Sequence, residues 1–350
     1  MKPLRARLEE ARKRLGLPWE VVERDYLLSW MLAGIGGIES LRSSLVFKGG
    51  TALKKCYFGD YRFSEDLDFT GLAGAPTGAE MERAMRQAAA SAGKLLNDYA
   101  PVEVLCERYT EKDPHPGGQE AFIIRARFPW QKAPLTRVII ETSLDEKLFK
   151  PVQNRKLLHE YGEPLDVTVA VYSLEEIVAE KLRAILQHIE KLEERGWSRS
   201  RARDYYDLWR ILRAYRGRLE LSDFLLFLQN KCAVRKVSFQ GAEDFFQTRM
   251  LTYVERTWEQ WLGPLVPDLP TVAEAGLPGF EANNWDGMLF PAGTPRAIVE
   301  RVNRDTARVL NLPEARDLLS NQGALPTPTT PGEFAVYITS EIAKWRDVVQ

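Results

Sequence analysis

The sequence has few of the residues that build disulfide or zinc frameworks. Its three cysteines and three histidines are widely spaced among 350 residues, and no Cys-x-x-Cys pair occurs. The cysteines cannot form a complete disulfide framework, and we expect no zinc site. We therefore interpret these side chains as ordinary packing or surface residues.

Long apolar runs and a strong net charge are also missing. No stretch reaches the roughly 18 consecutive apolar residues of a transmembrane helix. The N-terminus, MKPLRARLEEARKRLG, is charged and lacks the apolar core of a signal peptide. With a formal net charge of -1, any nucleic-acid site must be a local one. We expect a cytoplasmic protein that contacts no membrane.

The composition fits a globular chain, with 45% hydrophobic and 28% charged residues. Apolar patterning predicts strands over residues 45–47, 66–70, 119–128 and 135–143, and helices over 4–15, 19–32, 52–57 and 79–98. From residue 173 to about 262 the pattern is helical, and Ser173 to Glu176 has the form of a capping box. The mixture predicts an α+β fold.

Prolines crowd together from Gly263 onward, at positions 264, 267, 270, 278, 291 and 295. We place a boundary there because such a stretch interrupts regular structure. The expected parts are a sheet domain over residues 1–172, its helical half over 173–262, and a separate segment over 263–350.

Two aspartates separated by one residue stand on an expected strand. Residues two apart on a strand point to the same face, so Asp66 and Asp68 can chelate a divalent cation. Magnesium takes hard oxygen ligands, commonly one or two carboxylates together with substrate phosphates. Glu141 ends another apolar strand. If the two strands are neighbours, it supplies a third carboxylate for nucleotidyl transfer supported by two metal ions.

The run Gly49-Gly50-Thr51 lies between an expected strand and an expected helix. Such a turn exposes backbone N–H groups that suit phosphate oxygens. Taken alone, this run is more often an ordinary turn, and an Asp-x-Asp pair is more often a pair of solvated acids. Their order and spacing within residues 47–69 favour a nucleotide site.

Two charged residues fall on apolar helix faces. Lys181 lies four residues from both Ile177 and Ile185, within the apolar stripe of its helix. Either its stem packs there with a solvated ammonium, or the ammonium reaches phosphate at the acidic centre. Asp204 either caps its helix or shares a polar site with Lys181, because a buried charge needs a partner.

The loop before Asp204, residues 195–203, contains four arginines and Trp197. Arginine forks bind phosphates, and tryptophan stacks on bases. The loop is either an RNA contact or a solvated charged loop.

Several motifs follow one another in the order of a known family. They are VVERDYLLSWML, KGGTAL, RFSEDLDF, IIETS, EEIVAEKLRAIL and RARDYYDLWRIL, within about residues 15–215. The chain to about residue 262 resembles the AbiEii/AbiGii nucleotidyltransferase toxins. The resemblance implies a nucleotidyltransferase-like mixed sheet with a helical half, a nucleoside triphosphate substrate and magnesium. It also implies an RNA acceptor, tRNA in some members, and a separately encoded antitoxin in toxin–antitoxin or abortive-infection phage defence.

Position by position, the resemblance assigns catalysis to four residues, Asp66, Asp68, Lys181 and Asp204. It assigns nucleotide binding to Lys181 and to four motif residues, Gly49, Gly50, Thr51 and Ser64. Metal binding falls to Asp66 and Asp68, with Glu141 as the candidate third ligand. Asp207 is the alternative to Asp204, although we expect it on the exposed side of its helix.

The C-terminal segment resembles a different family. From about residue 266, PDLPTVAEAGLPGFEANNWDGMLFPAGTPRAIVERVNRDTARVL looks like the last part of the Bug/TctC solute receptors. Those proteins bind small carboxylates between two α/β lobes. We expect here a small partial α/β segment, loosely docked or poorly ordered, that binds no carboxylate because the other lobe is missing.

Three hypotheses follow. The first is a magnesium-dependent nucleotidyltransferase toxin that acts on RNA. The second is a fragment of a tripartite tricarboxylate solute-binding protein, and the third is an inactive toxin relic.

Overall fold

Seven strands of one mixed sheet organise the first half of the chain. The computed structural model describes residues 1–110, 119–196, 200–272, 274–275, 287–321 and 326–349. The strands are β1 (Leu45–Lys48), β2 (Asp66–Gly71), β3 (Glu103–Arg108), β4 (Gln119–Arg127), β5 (Thr136–Ser143), β6 (Gln153–Lys156) and β7 (Thr168–Val171). Their order is β3-β4-β5-β2-β1-β7-β6. Strand β2 is parallel to β5 and β1 to β7, and the other neighbours are antiparallel.

The described residues also form twelve α-helices. They are α1 (Leu4–Leu15), α2 (Trp19–Gly36), α3 (Glu39–Arg42), α4 (Gly49–Ala52), α5 (Gly78–Leu96), α6 (Leu174–Arg195), α7 (Ala202–Tyr215), α8 (Phe224–Val234), α9 (Thr248–Leu262), α10 (Arg296–Leu310), α11 (Pro313–Asn321) and α12 (Pro331–Val349). A π-helix over Leu53–Tyr57 continues α4, where the sequence predicted an ordinary helix. The α+β fold with a mixed sheet is confirmed.

Helices α2 and α5 pack tightly on each other because small residues line their contact. A Cβ on Gly34 would lie 2.3 Å from the carbonyl oxygen of Ala88 and 3.1 Å from the Cβ of Ala92. Helix α2 also packs on β5, and α5 packs on β3 and β4. The sheet is therefore held from this side by two long helices, which fix the strands that carry the acidic residues.

Helix α6 begins as the sequence predicted. The Ser173 hydroxyl accepts the N–H of Glu176 at 3.2 Å and thereby caps the first turn. The second half of the expected capping box does not form, because the Glu176 carboxylate accepts the N–H groups of Phe149 and Lys150 instead. The helix ends at Gly196, whose left-handed backbone (φ 73°) closes the last turn.

The chain divides into two compact units, Met1–Ala275 and Gly276–Gln350. The first unit extends past Gly263, where the prolines suggested a boundary. Leu265 and Val266 are buried in its core, and the Trp258 indole donates to the carbonyl of Pro270 at 2.8 Å. These apolar contacts keep the proline-rich stretch up to Ala275 with the first unit.

In the second unit, residues 287–321 and 326–349 form α10, α11 and α12 and contain no strand. We expected a partial α/β segment, but an isolated strand would leave its backbone groups unpaired. No residue of α10 is buried, and Leu289 and Val336 are each 70% exposed. Over the described part of the chain, no helix is both long enough and apolar enough to cross a bilayer.

Candidate active site

Acidic side chains from two parallel strands meet on one face of the sheet. Asp66 and Asp68 share a face of β2, and Asp68 is paired in register with Glu141 of β5. On the other side, β1 brings Lys48 opposite Asp68. The neighbouring strands expected for Asp68 and Glu141 are thus present, and a lysine that the sequence did not single out lies among the acids.

The surroundings of Asp68 disfavour its negative charge. Burial raises the pKa of its carboxyl to about 7, and the nearby charges of Asp66 and Glu141 add to this shift. The Lys48 ammonium partly offsets them. A cationic ligand at this position would relieve the repulsion between the acids.

The glycine turn packs directly on the acidic centre. Gly49 has a left-handed backbone (φ 78°), and a Cβ there would lie 2.4 Å from Oδ2 of Asp68. The Thr51 hydroxyl donates to the backbone carbonyl of Asp66 at 2.5 Å. This bond ties the turn to the first residue of β2, so the Thr51 hydroxyl supports the turn. Its role in nucleotide binding stays a prediction.

We expect Gly49→Ala to destabilise the first unit more than a matched glycine replacement does. The left-handed backbone of a non-glycine residue costs about 1–2 kcal/mol, and here the new methyl also collides with Asp68. Gly74→Ala is the control, since Gly74 has φ 88° and a Cβ added there would meet nothing within 4 Å. Urea unfolding measures both variants, and equal losses would show that the Asp68 contact has no energetic effect.

Helices α6 and α7 bring a second charged group together. The Lys181 ammonium donates to Asp204 at 3.1 Å and also to Asp207. The shared polar site of Lys181 and Asp204, one of the two alternatives, is present. The exposed position expected for Asp207 is wrong, because this side chain is 0% exposed. Residues three apart on a helix are neighbours, so both aspartates face Lys181.

Asp207 also receives two donors from the segment that leads into β2. The Arg62 guanidinium donates through Nε and Nη2, both at 2.6 Å, and the Tyr61 hydroxyl donates at 2.7 Å. Burial alone would raise the pKa of Asp207, but the positive charges of Arg62 and Lys181 hold it below its usual range. Arg62 was not among the site residues predicted from the sequence, although it stands in the RFSEDLDF motif, four residues before Asp66.

A third network supports the acidic centre from the helical half. Glu180 on α6 lies 3.5 Å from the Lys48 ammonium and 3.3 Å from that of Lys231 on α8. Lys231 is fully buried and also donates to Glu176 at 2.7 Å. Helical spacing alone did not identify Glu180, because it is adjacent to Lys181 and faces a different side of the helix.

The remaining predicted positions lie nearby or outside the described residues. Ser64 is partly exposed in the segment just before β2. Trp197 and Arg199 of the arginine-rich loop fall outside the described residues. Arg201 donates to Asp204 at 2.8 Å, and Arg203 lies 3.5 Å from Glu65. An RNA contact by this loop stays a prediction.

The donor set fits magnesium bound together with a nucleotide. Across the described residues, no group of three or more His, Cys, Asp or Glu side chains is already arranged to hold an ion. Magnesium commonly takes only one or two carboxylates and completes its shell with phosphate oxygens and water. Asp66 and Asp68 meet that requirement, and Glu141 as a third ligand stays a prediction.

A mixed sheet with paired aspartates on one strand, beside a glycine turn, fits an enzyme of the nucleotidyltransferase type. The family model described as "Nucleotidyl transferase AbiEii toxin, Type IV TA system" matches residues 31–286, and the chain belongs to this family. It is therefore a nucleotidyltransferase toxin, and the family implies a nucleoside triphosphate substrate and a separate antitoxin. Among solved structures, the nucleotidyltransferase toxin MenT4 from Mycobacterium tuberculosis is 18% identical, with a TM-score of 0.36. That match covers 73% of this chain and 98% of MenT4.

The C-terminal part is similar to other proteins. Residues 251–350 match the model of the tripartite tricarboxylate transporter family receptor. Protein BugT of Bordetella pertussis is 34% identical over 84 residues, or 24% of this chain and 26% of BugT. A UPF0065 protein of Pseudomonas sp. strain P51 is 37% identical over 87 residues, or 25% of this chain and 26% of the relative. The chain thus spans about a quarter of the length of these curated relatives.

Proposed function

We propose that this toxin transfers a nucleotide from a nucleoside triphosphate to an RNA acceptor, with Mg²⁺ as cofactor. The RNA acceptor that we propose is tRNA. The observation that carries the proposal is the placement of Asp66 and Asp68 on one sheet face, with Asp68 opposite Glu141 and against the Gly49 turn. The proposal includes a cytoplasmic location, which we expect from the sequence, and a role in abortive infection against phages, which the family resemblance implies.

In this reaction a hydroxyl oxygen of the RNA attacks the α-phosphorus of the nucleotide. The new phosphodiester bond forms as the bond to the β-phosphate breaks, pyrophosphate leaves, and the hydroxyl proton passes to solvent. Asp66 and Asp68 would hold Mg²⁺, which neutralises triphosphate charge and acidifies the attacking hydroxyl when bound. Such catalysis depends mainly on positioning and charge stabilisation.

The other residues of the site would place the substrate. The backbone of Gly49 and Gly50 would receive phosphate oxygens, as would Lys181. The Lys181 ammonium contacts both Asp204 and Asp207, and Arg62, which donates to the same Asp207, packs against Gly50 of the turn. Ser64 and Thr51 complete the proposed nucleotide-binding set.

The test is incubation of the purified chain with Mg²⁺, total tRNA and each of the four labelled nucleoside triphosphates in turn. We expect label in RNA with at least one nucleotide, its loss in EDTA, and its loss in Asp66→Ala. A folded wild-type chain that labels no RNA with any of the four nucleotides would contradict the proposal. Label on protein alone would retain the nucleotidyltransferase activity but exclude the RNA acceptor.

A further inference from the structure

Arg62 is buried against the glycine turn of the site. A Cβ on Gly50 would lie 2.2 Å from its Nη2 and 2.9 Å from its Cζ, and the three nearest atoms to that Cβ all belong to Arg62. Unlike Gly49, Gly50 does not have a positive φ. The Arg62 guanidinium, rather than the backbone conformation, is therefore the group that leaves no room for a side chain at position 50.

The position of this guanidinium is fixed from the helical half. Asp207 on α7 accepts two parallel bonds from it, and the side chains of Arg62 and Asp207 are 4% and 0% exposed. A planar fork of this kind sets orientation as well as distance. Arg62 thus connects α7 with the turn that follows β1.

Charge neutralisation does not by itself explain the arginine. Lys181 donates to both Asp204 and Asp207, and Arg201 donates to Asp204. Each of the two carboxylates keeps a cationic partner when Arg62 is removed. What Arg62 adds is the close contact between its guanidinium and Gly50.

We propose that Arg62 is a positioning residue for nucleotide transfer, which holds the Gly49–Gly50 turn, and through it Asp68, in register with α6 and α7. The inference rests on the proposed function. A shift of the turn moves the Asp68 carboxylate, because Gly49 packs directly against it. Misplacement of reacting groups by about 1 Å costs about 10²-fold in rate.

A double-mutant cycle tests this role. Gly50→Ala forces Arg62 away, whereas in an Arg62→Ala background the new methyl has room. We expect each single variant to lower kcat by about 10²-fold, with a much smaller change in the KM for nucleotide. The double variant should lose about the same factor, because both changes remove one contact. Rates are expressed per folded enzyme.

Two further variants sharpen the result. Arg62→Lys keeps the charge without the fork and should recover only part of kcat. Arg127→Ala removes an exposed ion pair between β4 and Glu103 of the edge strand β3, and should leave kcat unchanged. Multiplied losses in the double variant, or unchanged kcat in both single variants, would overturn the proposal.

Unfolding midpoints of the wild type, the two single variants and the double variant give a readout that does not depend on activity. If the shifts in unfolding midpoint are non-additive but the two kcat losses multiply in the double variant, Arg62 stabilises the fold without positioning the site. That result would also overturn the proposal. A wild-type chain that transfers no nucleotide, with non-additive midpoints, would instead refute the proposed function while leaving the Arg62–Gly50 contact established.

Discussion

Asp68→Asn is expected to reduce nucleotide transfer by about 10³-fold or more, the range over which loss of one charge-stabilising group slows phosphoryl transfer. Asparagine has nearly the same shape but lacks the negative charge that would hold Mg²⁺. The folded chain should not become less stable. Burial and the charges of Asp66 and Glu141 already disfavour the ionised carboxylate, so its replacement relieves repulsion.

Two measurements at pH 8 check this prediction: labelled nucleotide incorporation at saturating substrate, and urea unfolding. Asp60→Asn is the matched control, because the Asp60 side chain is 94% exposed and should tolerate the same replacement in both assays. A variant that keeps wild-type transfer would remove Asp68 from the site. A large loss of stability would show that its charge is favourably paired in the folded state.

Asp207→Asn is expected to destabilise the first unit by about 3–5 kcal/mol, the usual cost of removing one partner from a buried ion pair. Asp207 is fully buried and accepts from Arg62, Lys181 and Tyr61. Without its charge, Arg62, Lys181 and Arg201 would share the single carboxylate of Asp204. The free energy of unfolding from urea titration measures the effect.

Asp145→Asn is the matched control for this prediction. Asp145 also accepts two bonds from an arginine, Arg235, at 2.6 and 2.8 Å, but its side chain is 48% exposed. An exposed pair contributes about 0.2–1 kcal/mol. Both aspartates accept two bonds from one arginine, Asp207 from Nε and Nη2 and Asp145 from Nη1 and Nη2, so the two variants compare a buried pair with an exposed one. Similar small losses for both would mean that water reaches the Asp207 cluster.

The join between the two family matches has a structural consequence. The two family models overlap over residues 251–286, yet residues up to Ala275 belong to the first compact unit. The backbone carbonyl of Leu265 accepts the N–H of Phe63 at 3.1 Å, next to Arg62. Sequence that resembles a solute receptor therefore helps to hold the segment leading into β2. A truncation that tests the toxin alone should end after Ala275 rather than at Gly263.

Much of the site followed from local geometry that does not depend on distant contacts. The shared face of Asp66 and Asp68 follows from the alternation of side chains along a strand, and the cap at Ser173 from its own hydroxyl. The inward face of Lys181 follows from helical spacing. These relations involve residues only a few positions apart, so they could be predicted from the sequence.

The tertiary structure alone decided what those residues meet. Glu141 comes opposite Asp68 only because β5 pairs with β2, and Arg62 reaches Gly50 only because Asp207 on α7 holds it. Asp207 is buried because α7 packs on both α6 and α9. Helix α7 therefore has a smaller exposed face than its single apolar stripe predicted. Partners far apart in the chain are selected by packing and register, and neither is encoded in the local pattern around any one residue.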